Sequence, residues 1–211
     1  PALRDMALVT AGSGVAIALP ANFGIAPSSQ AAVLPPASGL KAIVSGSCSV
    51  ATNQQVMHFI QSGRPALAID PLRIAAGVDV CAEALAWAGD KIAGGPVLIY
   101  STADTSAVKS IQSKLGVEAA GTLVEQTIAG IARGLVELGV RQLVVAGGET
   151  SGACVQALEI AQMRIGGQID PGVPWCHALS PAAPDGLHIT LKSGNFGTAD
   201  FFTKAFAACA A

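Results

Sequence analysis

Along this chain, short runs of consecutive apolar residues alternate with longer stretches in which apolar positions recur every three or four residues. The short runs, bounded by Gly, Pro and Ser, predict strands at Met6–Thr10, Ala42–Ser45, Ala66–Ile69, Val97–Tyr100 and Gln142–Ala146, with a later pair near Trp175–Ala178 and His188–Leu191. The longer stretches predict helices. Between Gly121 and Gly139 the positions Leu123, Ile128, Ile131, Leu135 and Leu138 follow mostly helical steps, and Gly139 is placed to cap the end. Further helices are predicted at Thr52–Gln61, Val78–Ile92, Ser106–Leu115, Ser151–Met163 and Asp200–Ala207. Strands followed by helices build β-α units, so the expected fold class is α/β, a largely parallel sheet with helices on both faces.

Composition sharpens this picture. A length of 211 residues suits one α/β domain spanning 1–211. Hydrophobic residues make up 51% and charged residues 12%, with Ala and Gly in place of aromatics, which predicts a sheet buried on both faces. Only Gly24–Gly39, rich in Pro, Ser and Ala, reads as a linker crossing the surface. The mean hydropathy of +0.54 raises the question of a membrane span. The uncharged stretch between Met6 and Lys41 is broken by Gly12, Gly14, Pro20, Gly24, Pro27, Pro35 and Pro36 into pieces shorter than the ~20 apolar residues a spanning helix needs. Pro1 through Asp5 lack the basic head and apolar core of a signal peptide. A net charge of -2, without a basic stripe, argues against a nucleic acid polymer as partner. Five well-separated cysteines without a C-x-x-C pair predict reduced thiols in a cytoplasmic protein. The opening at Pro1, directly before an apolar run, predicts a fragment of something longer.

Candidate chemistry concentrates in four loops that follow predicted strands: Ser45–Ser49 (SGSCS), Ser101–Thr105 (STADT), Gly147–Gly152 (GGETSG) and Ser193–Gly197 (SGNFG). In an open parallel sheet the ligand crevice lies beyond the carboxyl ends of the strands. GGETSG has the strongest physical case. It joins a strand to a helix beginning near Ser151, and small residues there let backbone N–H groups approach a phosphate at a helix N-terminus, although the same glycines also serve tight packing. Ala153 and Cys154 follow Gly152 where a P-loop requires Lys and Ser or Thr, so the Walker-type reading fails. Neither the dinucleotide fingerprint G-x-G-x-x-G nor the elbow G-x-S-x-G is found. Ser45 and Ser47 offer hydroxyls suited to a phosphate or ribose, or to a cap. Cys48 has no histidine placed by sequence to activate it. His58, His177 and His188 are scattered, with no zinc-like spacing. Asp70, Asp104 and Glu149 fall at strand ends within reach of a magnesium-bound nucleotide, with turn or cap roles favoured for the two aspartates. Lys192 is the one lysine immediately beside a Gly-rich loop, placed equally well to neutralise phosphate or to sit solvated at a strand end.

Three motifs taken together, Ser45–Ser49 followed by Thr52 and Gln55, Gly147–Gly152, and Lys192–Gly197 followed by Asp200-Phe201-Phe202, resemble in order and spacing the C-terminal nucleotide-binding domain of four-carbon acid sugar kinases. The similarity covers nearly the whole chain. It includes Thr10-Ala11-Gly12-Ser13-Gly14, where Ala11 departs from the family's T-G-G-S-G. The resemblance implies a nucleotide cleft at the strand ends and phosphorylation of a four-carbon sugar acid by ATP with Mg2+; SGSCS looks most like the 3-oxo-tetronate branch. Carried over by motif, ATP meets Ser45, Gly147, Gly148, Glu149, Thr150 and Gly194; Ser47, Asn195 and Gly197 complete the expected set from the same loops. No catalytic residue and no metal ligand is assigned. The family's sugar-acid-binding N-terminal domain is absent here, so the chain is expected to be the ATP-binding half and inactive alone. A nucleotide-binding module without turnover and a Rossmann-like oxidoreductase stand as alternatives, and the oligomeric state, a homo-oligomer included, is left open.

Overall fold

The computed structural model describes residues 6–10, 13–101 and 117–209. The chain divides into two compact units, Pro1–Val33 and Leu34–Ala211. In the first, a 3-10 turn at Ser13–Ala18 runs into the short helix α1, Leu19–Asn22. The strand expected at Met6–Thr10 is not formed. An apolar run becomes a strand only where a neighbour takes its backbone hydrogen bonds, and this one enters no ladder, leaving Leu8 81% exposed.

The second unit is a seven-stranded sheet. In chain order its elements are β1 Leu40–Ser45, α2 Val50–Gln61, β2 Ala66–Ala68, α3 Pro71–Ala75, α4 Val80–Gly89, β3 Val97–Tyr100, α5 Val117–Glu137, β4 Val140–Ala146, α6 Gly148–Ala157, β5 Met163–Asp170, β6 Val173–Ser180, β7 Ala183–Lys192 and α7 Phe201–Cys209. The strand order is β2-β3-β1-β4-β7-β6-β5. From β2 to β7 neighbours are parallel, whereas β6 and β5 return as antiparallel hairpins at one edge.

Alternation along the strands feeds two cores. Leu143 and Val145 of β4 face α4, α5 and α6, where Ala84, Ile128, Ile131, Leu135 and Cys154 are buried. Val144 faces the other way, toward Phe59 of α2 and Phe201, Phe202 and Phe206 of α7. Trp175 Nε1 donates to the Ala205 carbonyl at 2.8 Å, tying β6 to α7. Helices therefore cover both faces.

Two further expectations are corrected. The helix expected over Ser151–Met163 begins at Gly148 and ends at Ala157, and Met163 opens β5. β5 carries no strand signal in sequence, being an edge strand exposed over most of its length in which Gly166 and Gly167 interrupt any alternation. The helix expected at Ser106–Leu115 lies outside the described residues.

Candidate functional site

The ladder registers bring the loops together. Ser45 pairs with Ala146, and Ala146 pairs with Lys192, so β1, β4 and β7 end level and side by side. SGSCS, GGETSG and SGNFG leave the sheet from one row. Two of the three lead straight into helices. Ser49 caps α2, its Oγ accepting from the Thr52 N–H at 3.2 Å, and α6 starts at Gly148. The N–H groups of Gly148, Glu149 and Thr150, in the first turn of α6, have no intrahelical acceptor. Both helices present the positive ends of their dipoles to the same end of the sheet.

The loops are also locked to one another. Ser49 Oγ and Thr52 Oγ1 both donate to the Gly194 carbonyl, the second at 2.9 Å. A Cβ at Gly194 would lie 2.6 Å from Ser47 Oγ and 3.0 Å from Ser49 Oγ, so any side chain there would displace one of these serines. Gly147, at φ +126°, lies so close to Thr150 and Ser47 that a Cβ would sit 2.6 Å from Thr150 Oγ1. Gly148 differs: a side chain there would enter open space. Beneath the third loop, Gln55 Nε2 donates to the carbonyls of Phe196, Gly197 and Thr198 at 3.0–3.1 Å. The loop's far end is held by Asp170, which accepts from Thr198 N at 2.9 Å and from Lys204 Nζ at 2.6 Å. Burial alone would raise the Asp170 carboxyl; hydrogen bonds from Lys204 and Thr198 outweigh it and hold it below the ordinary range.

Two features dominate the electrostatics. Lys192 is fully buried, and its ammonium donates to Thr52 Oγ1 at 2.9 Å and to the Ser193 and Gly194 carbonyls at 3.1 Å. Burial pushes its pKa down to about 8. At the mouth of α6, the Glu125 carboxyl is pushed up by partial burial and by the negative charge of nearby Glu149. Two facing carboxylates are a donor set suited to a hard divalent cation.

Residues 42–202 match the family model described as the nucleotide-binding C-terminal domain. The chain belongs to this family. Relatives include proteins named 3-oxo-tetronate kinase from Burkholderia multivorans, 51% identical with 98% of this chain and 48% of the relative covered, and from Pseudomonas fluorescens, 49% identical with 97% and 47% covered. The crystal structure of Haemophilus influenzae protein HI1011 superposes with a TM-score of 0.79 at 34% identity, covering 98% of this chain and 49% of that one. The chain spans about half the length of the curated relatives it matches.

Of the residues expected in the site, Ser47, Gly147, Gly148, Glu149, Thr150 and Gly194 are gathered at the three level strand ends. Ser45 is fully buried as the last residue of β1. Asn195 is exposed on the loop. Gly197, at φ +83°, makes room for Phe201 and Gln55, a packing reason for glycine. Asp70 caps α3, accepting from Leu72 N at 2.9 Å, and Asp104 lies outside the described residues. The histidines are less scattered than their spacing implied. His177 and His188 pair across β6 and β7 with ring centroids 5.2 Å apart, because antiparallel pairing joins positions eleven apart in sequence. Among the described residues no group of three or more metal-ligating side chains forms, and no helix is long and apolar enough to cross a membrane. All five cysteines are free, with Cys154 pushed up to about 12 by burial.

Sequence reasoning did not find Glu125 or the loop-fastening work of Lys192. Gln55 and Thr52 were visible only as letters following SGSCS. Thr52 and Gln55, three positions apart on α2, are polar yet fully buried, and burial is not written in spacing.

Proposed function

We propose that this chain is the ATP-binding half of a cytoplasmic kinase that phosphorylates a four-carbon acid sugar, 3-oxo-tetronate, at its C4 hydroxyl. The observation that carries the reading is the convergence of GGETSG, SGSCS and SGNFG on one row of strand ends, in a chain about half identical to proteins named 3-oxo-tetronate kinase. In this reading the polyphosphate lies against the first turn of α6, where the Gly148, Glu149 and Thr150 N–H groups donate, with Ser47 and Gly194 closing the opposite side. The sugar acid is held by the part of the relatives' length that this chain does not span.

Phosphoryl transfer asks the protein chiefly to position the γ-phosphoryl in line with the acceptor oxygen and to offset the charge spreading over its oxygens. The N–H groups and helix dipoles of this site meet the second requirement without reorganising. Magnesium arriving with the nucleotide would supply further charge neutralisation, and among the described residues of this site Glu149 and Glu125 have the chemistry to hold it.

The test is calorimetric titration of the protein with ATP and magnesium, repeated on Gly148→Val. Because a side chain at Gly148 meets nothing within 4 Å, the variant is expected to fold. On this reading the open space is the one the phosphate occupies, so the valine competes for it and ATP affinity is expected to fall at least ~10-fold, the order of one charge-assisted hydrogen bond lost. Unchanged affinity in the folded variant removes the phosphates from α6. Absence of ATP binding by the full-length protein overturns the kinase reading.

A further inference from the structure

Lys192 combines properties that a structural lysine rarely has. It is fully buried, yet all of its hydrogen-bond partners are neutral oxygens: the Thr52 hydroxyl from α2 and the carbonyls of Ser193 and Gly194. Among the described residues no carboxylate pairs with it and no other charged group perturbs it. A buried cation without a counter-ion is costly, and an unbranched apolar side chain such as methionine, one heavy atom shorter, would occupy most of the space without that cost. The charge therefore calls for a partner that arrives from outside.

The peptide geometry indicates where. A trans peptide unit sends its C=O and N–H in opposite directions. The Ser193 and Gly194 carbonyls turn inward onto the ammonium, so the next N–H groups along the chain, those of Gly194 and Asn195, turn away from it. Neither N–H donates to a protein acceptor among the described residues. Successive outward N–H groups form an anion-binding concavity, and this one adjoins the Ser47 and Ser49 hydroxyls.

We infer that Lys192 is the positioning residue and buried counter-charge of the polyphosphate subsite: it holds the SGNFG loop with the Gly194 and Asn195 N–H groups presented to phosphate oxygens and balances their negative charge from beneath. The inference rests on the nucleotide reading of the site and adds a residue that acts through the loop, without contacting the ligand. Two consequences separate it from a purely structural role. The contribution of Lys192 grows with the number of phosphates on the ligand. Binding also draws a proton onto a lysine that, at about pH 8, is half neutral in the free protein.

The experiment is calorimetric titration of the full-length protein with ATP, ADP and AMP at about pH 8, in two buffers of different ionisation enthalpy, on wild type and Lys192→Met. Wild type is expected to take up about half a proton per ATP bound. Lys192→Met is expected to lose roughly 10- to 100-fold in ATP affinity, less for ADP and least for AMP, together with the proton uptake. If the variant does not fold, proton uptake by wild type decides. Wild-type ATP binding without proton uptake, or a folded Lys192→Met with wild-type ATP affinity, overturns the role of Lys192 and leaves the nucleotide reading standing. A wild-type protein that binds none of the three nucleotides overturns both.

Discussion

A lysine whose folded pKa lies below its unfolded value has a definite sign in pH linkage. Between about 8 and the ordinary 10.5, the unfolded chain holds a proton on Lys192 that the folded chain has released. The stability of the unliganded protein therefore gains from Lys192 as pH rises through that window, while affinity for a polyanion falls. The difference in unfolding free energy between wild type and Lys192→Met, followed by urea denaturation from about pH 7 to about pH 9.5, is expected to shift in favour of wild type by about 2 kcal/mol. No such shift would mean that Lys192 stays charged in the fold. Nothing in the letters around Lys192 announces this behaviour. By sequence, a lysine closing an apolar strand beside a Gly-rich loop fits phosphate neutralisation and a solvated strand end equally well, and only the packing of α2 and the SGNFG loop over it removes the water.

At the scale of elements, α2 and α6 show how much depends on where a helix begins. In GGETSG the helix starts at Gly148, three residues earlier than its polarity suggests, because Glu, Thr and Ser are as much at home in a first turn as in a loop. That shift makes the motif itself the donor surface. For α2 the start is set by Ser49, which caps the helix and also binds the Gly194 carbonyl, so one hydroxyl serves fold and site together. Ser49→Ala is expected to cost about 1–2 kcal/mol, a fall in Tm of roughly 2–8 °C by thermal denaturation, and to weaken ATP binding as the SGNFG loop loses one fastening. A change in stability with ATP affinity untouched would confine Ser49 to the cap. β5 marks the limit of pattern reading, since an exposed edge strand containing Gly166 and Gly167 carries neither a buried run nor an alternation.

For the whole molecule, the sheet acts as a jig. Parallel strands with helices on both faces deliver their loops to one end, and the register of β1, β4 and β7 sets those loops level. On the proposed reading, this cleft binds the nucleotide and the acceptor is held elsewhere. The 211 residues alone are expected to bind ATP with magnesium yet release no ADP in the presence of 3-oxo-tetronate, whereas a protein of the relatives' full length releases it, as read by a coupled ADP assay. Turnover by the 211 residues alone would place the acceptor site within this chain.

The sequence by itself determined the α/β class, most of the strands and helices, and the three Gly- and Ser-rich motifs, because hydrophobic periodicity and turn chemistry are local properties. Tertiary structure decided what those motifs do to one another: which strands are neighbours, that Ser47, Gly147 and Gly194 meet, that Glu125 faces Glu149, and that Lys192 is buried without an anion. Contacts between residues a hundred positions apart depend on register and packing, and neither is encoded in the spacing of any single segment.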